Sequence, residues 1–417
     1  MQRYDVAIVG GGMVGASLAL ALAPTRLSLL VIEGTSPDST AQPSFDERTT
    51  ALGNASRRIF EALGVWPRIG TQAAAIRIIH VSDAGRFGFA RLCAAEQGVD
   101  AFGFVAANRV IGAALWEAVR TRSARIDVRV PAQVTHIEPC GDAVRLTLAS
   151  AAGSEELEAA LVVAADGAQS RVRQAAAIDA EVKDYQQLAI VANVAADRPH
   201  EHTAYERFTP SGPLAVLPLV DGSYTVVWAR SPHDAEQALA LPDERFLASL
   251  QEHFGWRAGR FVRLGKRGAY PLSLTWAKES IGPRTVLVGN AAQALHPVAG
   301  QGFNLGLRDA AVLAEVLAEA QEDPGSAAVL ERFASRRQAD RRGIIAFTDG
   351  LIRLFANPRQ PVGWARDLGL LLFDLTPAAK SALARVSSGF GGQTPRLARG
   401  LSLSSPFPGR EPRQPAA

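Results

Sequence analysis

The sequence predicts an α/β fold in which a nucleotide-binding unit is interrupted by a β-sheet domain and followed by helices. A short apolar run, Val6–Val9, leads into a glycine-rich turn, which is typical of a buried parallel strand that precedes a helix. A second strand-and-glycine segment, Val286–Gly306, follows about 280 residues later. Residues 185–275, between the two, are rich in strand patterns. We therefore expect a Rossmann-like unit that is discontinuous in sequence.

The first glycine-rich turn has the spacing of a pyrophosphate-binding loop. Gly10, Gly12 and Gly15 form the pattern G-x-G-x-x-G directly after the predicted strand. Glycine at these positions permits a tight turn, the close approach of a phosphate, and close packing of helix on strand. The helix predicted from about Met13 to Ala23 would direct its free N–H groups and its dipole at the anion. A glycine-rich structural turn is the alternative interpretation.

An acidic residue completes this pattern. The second predicted strand, Leu27–Ile32, ends at Glu33, which lies 21 residues after Gly12. A carboxylate at this distance accepts hydrogen bonds from an adenosine ribose. Strand, glycine loop, helix, strand and acid therefore occur in the order expected of a dinucleotide site.

The late segment predicts a second contact with the same ligand. Val286–Val288 is a predicted strand, and Gly289 after it lets the backbone approach a ligand. Gly300-Gln301-Gly302 opens a helix, whose positive end would stabilise negative charge. The two segments together predict one long cofactor held at both ends, with a plain loop–helix junction as the alternative. His296 is a candidate proton relay, and a structural histidine is an equally good interpretation.

The other elements lie between and after these motifs. Residues 76–91 are predicted to form two strands around a turn, and residues 185–275 a sheet that covers a substrate. From about residue 305 the pattern is mostly helical. The predicted division of the chain is a nucleotide-binding domain of residues 1–72, 92–180 and 276–345, a substrate-binding β-sheet domain of residues 73–91 and 181–275, C-terminal helices at 346–390, and a disordered tail at 391–417.

Composition is that of an ordinary globular protein. The chain of 417 residues is 47% hydrophobic and 20% charged, so we expect two interleaved domains rather than one core. No stretch approaches 18 uninterrupted apolar residues, and the first strand begins at the N-terminus; we expect neither a membrane-spanning helix nor a signal peptide. The two cysteines, Cys93 and Cys140, form no C-x-x-C pair, which suits a reducing compartment. No His, Cys, Asp or Glu cluster has metal-ligand spacing, so no metal site is expected.

The net charge of +3 does not indicate nucleic-acid binding. Residues 391–417 carry four arginines and one glutamate, so this segment accounts for the whole excess and the rest of the chain is near neutral. The sequence therefore predicts no basic footprint on the fold. The Gly-, Pro- and Ser-rich tail is either passive or attracted to an anionic membrane surface.

These motifs resemble those of the single-component, FAD-dependent aromatic hydroxylases related to p-hydroxybenzoate hydroxylase. The resemblance rests on three motifs, which are the glycine loop with Glu33, the segment Ala165–Arg173, and residues 289–306. The stretches Asp46–Leu52 and His80–Gly85 are similar to the ubiquinone-biosynthesis hydroxylases that act on 2-polyprenyl-6-methoxyphenol. So is the pair Gly289-Asn290, where most of the superfamily has Gly-Asp.

The resemblance implies a glutathione-reductase-type Rossmann fold that binds FAD non-covalently. It assigns the pyrophosphate to Gly10, Gly12 and Gly15, the adenosine ribose to Glu33, further FAD contacts to Arg48, Arg109, Asp166, Gly289 and Asn290, and the flavin ring to Pro297, Gly300, Gly302 and Asn304. Asn290 takes the place of an aspartate, and its amide can still bond to a ribityl hydroxyl. Gly112 stands where the family has an apolar residue. The catalytic residues are unknown, with Arg48 and His296 as candidates.

The implied activity is hydroxylation of an electron-rich phenol with one oxygen atom of O₂, through a C4a-hydroperoxyflavin. NAD(P)H or another donor would reduce FAD, and no separate NAD(P)H domain is expected because no second G-x-G-x-x-G follows a strand. Another flavin hydroxylase or oxidase on the same fold, and a non-catalytic FAD-bound component of a biosynthetic assembly, are the alternatives. The implied partners are a polyprenyl phenol and O₂, with other ubiquinone-biosynthesis proteins and peripheral contact with the inner membrane left open. The implied location is the cytoplasm.

Two features of the sequence bear on the substrate. The predicted strands Leu214–Leu219 and Tyr224–Ala229 carry no charge, whereas a hydroxylase of small benzoates would place a cation there to pair with the carboxylate. An apolar wall suits an isoprenoid tail.

Apolar stripes at Ile344–Phe347, Leu351–Phe355 and Gly369–Phe373 indicate either core packing or contact with a membrane or partner protein.

Overall fold

The structure, a computed structural model, describes residues 1–39, 42, 44–320, 323–357 and 359–403. The strands of this described part are β1 (Gln2–Val9), β2 (Leu29–Ile32), β3 (Thr49–Gly53), β4 (Ala74–Ile76), β5 (Ile78–Asp83), β6 (Phe89–Cys93), β7 (Gly103–Ala107), β8 (Ile126–Arg129), β9 (Ala132–Cys140), β10 (Ala143–Ser150), β11 (Gly153–Ala164), β12 (Ala180–Ala196), β13 (Thr203–Thr209), β14 (Gly212–Pro218), β15 (Tyr224–Arg230), β16 (Phe261–Ala277), β17 (Ile281–Gly282), β18 (Thr285–Leu287) and β19 (Gln293–Ala294). The α-helices are α1 (Met13–Leu22), α2 (Asn54–Ala62), α3 (Trp66–Gly70), α4 (Asn108–Thr121), α5 (Arg171–Ala175), α6 (Pro232–Ala240), α7 (Asp243–Phe254), α8 (Gln301–Glu319), α9 (Ala327–Ala356), α10 (Gln360–Asp374) and α11 (Pro377–Ser387).

The first sheet carries both glycine segments of the sequence. Its strands run in the order β17-β18-β11-β1-β2-β8, with β9 and β10 attached through β11. β1 is parallel to β2 and β11, and β18 is parallel to β11. Because the chain ends of parallel strands meet at one edge, the turns that follow β1, β11 and β18 lie together. The α/β fold predicted from the sequence is confirmed.

Side chains of the central strand alternate between two hydrophobic cores. Val6 and Ile8 pack with the helical layer that includes α1, α4 and α8. Ala7 and Val9 pack on the other face, against β9 and β10. Burial on both faces explains why the second half of this strand, Val6–Val9, is an uninterrupted apolar run rather than alternating with polar residues.

The second sheet has the order β19-β16-β12-β15-β14-β13-β5-β6 and is antiparallel except for the pair β13–β5. One face packs against α6 and α7 through a core that includes Trp228 and Phe246. The strand-rich interpretation of residues 185–275 is therefore incomplete, since these two helices interrupt it. Phe246, Leu250 and Phe254 are buried at a spacing of four, which is the helical signal in that segment.

The third sheet, β3-β7-β4, and the C-terminal helices complete the fold. Leu397 and Ala398 are buried in the first core, which differs from the disorder that composition predicts for the start of the tail. Residues 404–417 lie outside the described residues. The domain boundaries predicted above remain a prediction. No helix in the described part of the chain is both long and apolar enough to cross a membrane.

Candidate active site

Both large sheets face one cavity of about 970 Å³, near the upper end of the usual range for ligand pockets. Its nucleotide end is lined by Gly10, Gly12, Glu33, Asp166 and Asn290. The substrate wall is formed by apolar side chains of the second sheet, which are Ile79, Ala189, Val191, Ala204, Ala215, Leu217, Val227 and Leu272. The structure thus places the glycine motif and the uncharged strands around the same space.

The three glycines of the first loop meet different surroundings. A Cβ atom on Gly15 would lie 1.9 Å from the Gly10 carbonyl oxygen, and one on Gly10 would lie 2.4 Å from the Ala165 oxygen at a φ of +103°. Gly12 has a φ of −61°, and the nearest atom to its Cβ would be Ser44 Oγ at 3.3 Å. Gly10 and Gly12 line the cavity, whereas Gly15 does not. Gly15 therefore serves helix packing, and Gly12 leaves space for a ligand.

Two side chains fix the position of this loop. Glu33 Oε2 accepts a hydrogen bond from the Gly11 N–H at 2.6 Å, and its Oε1 accepts one from the Thr35 N–H at 2.9 Å. Trp116 Nε1 donates to the Gly11 carbonyl at 2.9 Å. α1 has no side-chain cap on its first N–H groups, so they remain available to an anion. Sequence reasoning missed Trp116 because its contact spans about 100 residues.

The loop after β18 is held from behind by a buried carboxylate. Asp309 Oδ2 accepts hydrogen bonds from the Gly289 N–H at 3.2 Å and from Gln293 Nε2 at 2.6 Å. Its Oδ1 pairs with Arg337 Nε at 2.8 Å, and both side chains are 3% exposed. Gly289 has a φ of +60°, a conformation that favours glycine. Asp309 thereby fixes the loop that carries Asn290 along the cavity.

Two arginines tie the loops of the site together. Arg173 donates to the carbonyl of Ala291 at 2.9 Å and to that of Ala168 at 2.8 Å, which joins the loops after β18 and β11. Arg341 Nη2 donates to the carbonyl of Ala292 at 2.8 Å. The links from Arg173 to Ala291 and from Arg341 to Ala292 could not be predicted from a motif, because each joins residues remote in sequence.

Asp166 offers an unpaired acceptor to the cavity. Its Oδ2 accepts from the N–H groups of Arg171 at 2.9 Å and Val172 at 3.3 Å, at the start of α5. Its Oδ1 is buried and makes no hydrogen bond within the described chain. A buried carboxylate oxygen of this kind is expected to find a donor. The hydroxyls of FAD fit this oxygen, just as its pyrophosphate fits the space beside Gly12.

The predicted flavin-ring residues divide into two groups. Pro297, Gly300 and Gly302 line the cavity, and Gly300 begins α8 at a φ of +60° with no side-chain cap. Asn304 does not line it. Its Oδ1 accepts from the Gly53 N–H at 2.9 Å and its Nδ2 donates to the Gly300 carbonyl at 2.6 Å, so it holds the loop in place, and its contact with the flavin ring stays a prediction.

The two arginines taken from the resemblance lie on neighbouring segments, but their side chains have different surroundings. Arg48 lines the cavity, is paired with Asp46 at 2.5 Å, and has its guanidinium 4.6 Å from the centre of the Tyr270 ring. Arg109 does not line the cavity, and it pairs with Glu47 at 2.8 Å on the surface. The family's apolar position at Gly112 is filled by Phe45, whose ring would lie 2.3 Å from an added Cβ. FAD binding by Arg48 and Arg109 stays a prediction.

His296 lies behind the cavity wall rather than in it. The side chain is 2% exposed, its Nδ1 accepts from the Val298 N–H at 3.1 Å, and its ring stands edge-on to Tyr185 at 5.3 Å. Burial lowers the pKa of His296 to about 4, because an apolar environment disfavours the charged form. The structural interpretation of this histidine fits these contacts better than the proton relay.

One acidic side chain interrupts the substrate wall. Glu206 on β13 lines the cavity beside Ala215 of β14. Its Oε1 is buried and has no hydrogen-bond partner in the described chain. Burial raises the pKa of Glu206 to about 7. Sequence reasoning looked for cations on the neighbouring strands and missed this residue, although strict alternation along β13 indicates which face it occupies.

Known proteins resemble this chain along most of its length. A family model described as an FAD binding domain matches residues 3–348. The ubiquinone hydroxylase UbiL of Rhodospirillum rubrum is 38% identical over 409 residues, which cover 96% of this chain and 93% of that protein. The 3-demethoxyubiquinol 3-hydroxylase of Escherichia coli is 35% identical over 378 residues, covering 89% of this chain and 94% of that protein. The crystal structure of p-nitrophenol 4-monooxygenase PnpA from Pseudomonas putida has the same fold, with a TM-score of 0.80 at 21% identity, covering 94% of this chain and 100% of that one.

Proposed function

Because the chain belongs to the family of FAD-dependent aromatic hydroxylases that includes the ubiquinone hydroxylases, we propose that its substrate is a 2-polyprenyl-6-methoxyphenol. The expected reaction inserts one oxygen atom of O₂ para to the phenolic hydroxyl. FAD is the cofactor of this family. When bound, it supplies the activation of O₂, and the protein supplies binding, orientation and exclusion of water.

The residues of the nucleotide end would hold FAD in an extended form. The pyrophosphate would lie beside Gly12 at the uncapped start of α1, and the ribose hydroxyls would reach Glu33. Asp166 Oδ1 and Asn290 offer an acceptor and an amide along the cavity. Pro297 and Gly302 would then border the flavin ring at the start of α8, whose dipole stabilises negative charge.

The observation that carries the substrate proposal is the apolar wall that shares this cavity. Every aliphatic side chain of the substrate wall comes from the second sheet, and no lysine or arginine of that sheet lines the cavity within the described residues. Arg207 bonds to the His253 carbonyl on the opposite face. A benzoate would leave its carboxylate unpaired against this wall, whereas each buried CH₂ of an isoprenoid contributes about 0.8 kcal/mol.

The name of the E. coli relative favours a second substrate of the same class, a demethoxyubiquinol. Both candidates combine an electron-rich oxygenated ring with an isoprenoid tail, and the apolar wall suits both. The ring position that is hydroxylated separates them. We propose NAD(P)H as the electron donor for either reaction, docking transiently, because the sequence has no second dinucleotide fingerprint.

We also propose that α10 contacts the membrane in which such a substrate resides. Trp364, Leu368, Leu372 and Leu375 lie along one side of this helix region, and each is 55–77% exposed. The other side of α10 packs on the second sheet through Phe373, next to Leu92 of β6. An exposed apolar stripe on a packed helix is typical of interfacial attachment.

The test is a product assay with purified, FAD-loaded protein. NADH or NADPH and O₂ are supplied with 2-geranyl-6-methoxyphenol, with a short-chain demethoxyubiquinol, or with p-hydroxybenzoate. We expect substrate-dependent NAD(P)H oxidation and a product heavier by one oxygen atom with the first compound. A strain that lacks the protein is expected to accumulate a prenylated methoxyphenol.

The results with the three compounds lead to different conclusions. Turnover of the demethoxyubiquinol alone would move the assignment to the other ring position. Efficient hydroxylation of p-hydroxybenzoate would overturn the polyprenyl assignment. NAD(P)H oxidation that gives only hydrogen peroxide with all three compounds would contradict the proposed substrate class.

A further inference from the structure

Glu206 occupies an isolated position on the substrate wall. It stands in a cross-strand row in which Glu206 pairs with Ala215, Ala215 with Val227, and Val227 with Val191. All four residues line the cavity. On its other side Glu206 pairs with Val81 of β5. The carboxyl group is therefore surrounded by small aliphatic side chains on the face that a substrate would contact.

The row lies where the second sheet meets the loop assigned to the flavin ring. Phe208, two residues along the same face of β13, packs in one cluster with Val298 of that loop. Ala204, two residues in the other direction, packs with Leu217 of the substrate wall. Glu206 thus lies between the loop at Pro297–Gly302 and the apolar wall, where the ring of a substrate must sit to reach the flavin.

No other side chain neutralises this carboxyl group. It makes no hydrogen bond or ion pair in the described chain, and its Oε1 is buried. The strands beside it present Val81 and Ala215, and the cluster next to it contains Val298 with Ile352 and Phe355 of α9. The titratable group of that cluster, Tyr185, donates its hydroxyl to Asp349. No charged group contributes to the raised pKa of Glu206. An unpaired buried carboxyl costs folding free energy, and such groups cluster at functional sites.

We propose that Glu206 is the catalytic base that accepts the phenolic proton of the substrate. The inference rests on the proposed function. The substrate O–H bond breaks, its proton forms a new O–H bond on the Glu206 carboxylate, and the substrate keeps the electron pair as a phenolate. No electrons are exchanged with the cofactor in this step. The phenolate ring is more electron-rich at its para carbon, which is the atom that receives oxygen. A base with a pKa of about 7 is suited to proton transfer near neutral pH.

The first test compares the pH dependence of hydroxylation in three variants. Glu206→Gln keeps the shape of the side chain and removes the base, Glu206→Asp keeps a carboxylate, and Glu181→Gln makes the same charge change at an exposed position of β12. In the wild type kcat/KM should rise with pH and level off above about 7. Glu206→Gln should lower kcat/KM at pH 7.5 about 100-fold and move the rise toward the phenol's own pKa of about 10.

The two control variants show whether Glu206 acts as a base or has only a structural role. Glu206→Asp should retain the rise near neutral pH with a smaller loss of rate, and Glu181→Gln should match the wild type. FAD content and thermal unfolding are measured for each protein. A Glu206→Gln profile that keeps its rise near pH 7, at whatever rate, would overturn the proposal.

A binding measurement separates this inference from the proposed substrate. Dissociation constants for 2-geranyl-6-methoxyphenol and its methyl ether are read from the flavin spectrum at pH 8. The wild type should bind the phenol about tenfold more tightly than the ether, because a charge-assisted hydrogen bond is lost in the ether. Glu206→Leu should bind both equally, and equal binding in the wild type would overturn the contact.

The hydroxylation assay and the binding assay together show which of the two proposals is wrong, the substrate or the catalytic base. If the wild type hydroxylates no prenyl phenol but still shows this preference through Glu206, the proposed function fails and the contact stands. If the wild type hydroxylates the phenol and Glu206→Gln matches it at every pH, the proposed function stands and the base is wrong.

Discussion

At the scale of single residues, the glycines of the first motif are needed for different physical reasons. Gly15 is required by the protein itself, since an added Cβ would lie 1.9 Å from the Gly10 oxygen. Gly12 has a backbone conformation open to any residue, and among the described residues the nearest atom to an added Cβ is Ser44 Oγ at 3.3 Å. The protein itself therefore does not require glycine at position 12, and we expect the requirement to come from the ligand.

This difference predicts opposite outcomes for two similar substitutions. Gly12→Val should fold normally and lose about nine tenths of its FAD or more, because the valine side chain fills the space beside the start of α1. Gly15→Val should fail to fold, because the added side chain collides with the Gly10 carbonyl oxygen, a backbone atom that cannot move aside. FAD released on denaturation and the unfolding transition are measured for both.

Gly343→Val, at an exposed helical position with open space around it, is the matched control. It should keep both FAD and fold. Normal FAD content in Gly12→Val would contradict the assignment of the pyrophosphate to this loop.

Sequence reasoning identified residues whose constraint is local. Gly10, Gly12 and Glu33 follow from spacing along one strand–turn–helix unit, and all three line the cavity. The contact of Trp116 with Gly11 and that of Arg173 with Ala291 could not be predicted, since each hydrogen bond joins residues more than 100 positions apart. His296 and Asn304 were proposed from their neighbourhood in sequence, and neither lines the cavity, because a side chain next to a loop residue in sequence can point to the opposite side of the loop. Their roles stay predictions.

At the scale of elements, α10 combines two different surfaces. Its inner side reaches the second sheet through Phe373, whereas Trp364, Leu368 and Leu372 are more than half exposed. The sequence presented core packing and membrane contact as alternatives for this apolar segment, and the structure shows packing on one side and exposure on the other. Full burial of a side chain of this size stabilises by about 1.5–3 kcal/mol.

The exposed side of α10 gives a prediction about vesicle binding. Replacing Trp364, Leu368, Leu372 and Leu375 with glutamine should lower the fraction of protein that floats with phospholipid vesicles at least about tenfold, because the apolar area available to the bilayer is removed. FAD content and unfolding should remain unchanged, since these side chains are exposed in the folded protein.

A control variant makes the same kind of replacement at two exposed apolar positions elsewhere. Val182 and Trp256 are 68% and 67% exposed, and their replacement by glutamine should leave flotation as in the wild type. Equal flotation of the wild type and the α10 variant would rule out this helix as the membrane contact.

The strands of the middle segment were predicted better than its helices. The side chains of β14 and β15 alternate between the cavity and a buried core. Because both faces are apolar, each strand appears in the sequence as an uncharged run rather than as a period of two. α6 and α7 were missed because a strand-rich segment was treated as uniform. Ser231, whose side chain caps α6 by accepting from the Asp234 N–H, and Pro232 after it are the start signal that was available.

At the scale of the whole molecule, His296 links stability to pH. Burial lowers its pKa to about 4 from 6.5. The unfolded chain therefore binds a proton that the folded protein does not bind between these values. The stabilisation is fully present above pH 6.5, and it is lost as the pH falls from 6.5 to about 4. The free energy of unfolding should decrease by roughly 3 kcal/mol over this window from His296 alone.

Chemical denaturation from pH 4 to pH 8 tests this contribution. His296→Gln retains a polar side chain and removes the titration, so its curve should be flatter than that of the wild type below pH 6.5. His233→Gln, at an exposed site on α6, should follow the wild type. Parallel curves for the wild type and His296→Gln would show that this histidine does not titrate on unfolding.

The buried side chains that hold the loop of Gly289 also affect when, during synthesis of the chain, the cofactor site is completed. Asp309, Arg337 and Arg341 fix that loop, yet they leave the ribosome long after the first glycine motif. At about 5–20 residues per second, roughly 15–65 s separate the appearance of Gly12 from that of Arg341. A nascent chain therefore displays the pyrophosphate loop throughout this interval without the loop that would border the flavin. We therefore expect FAD to bind only when translation is nearly finished, and we expect a chain that ends before α9 to carry the glycine motif without binding FAD.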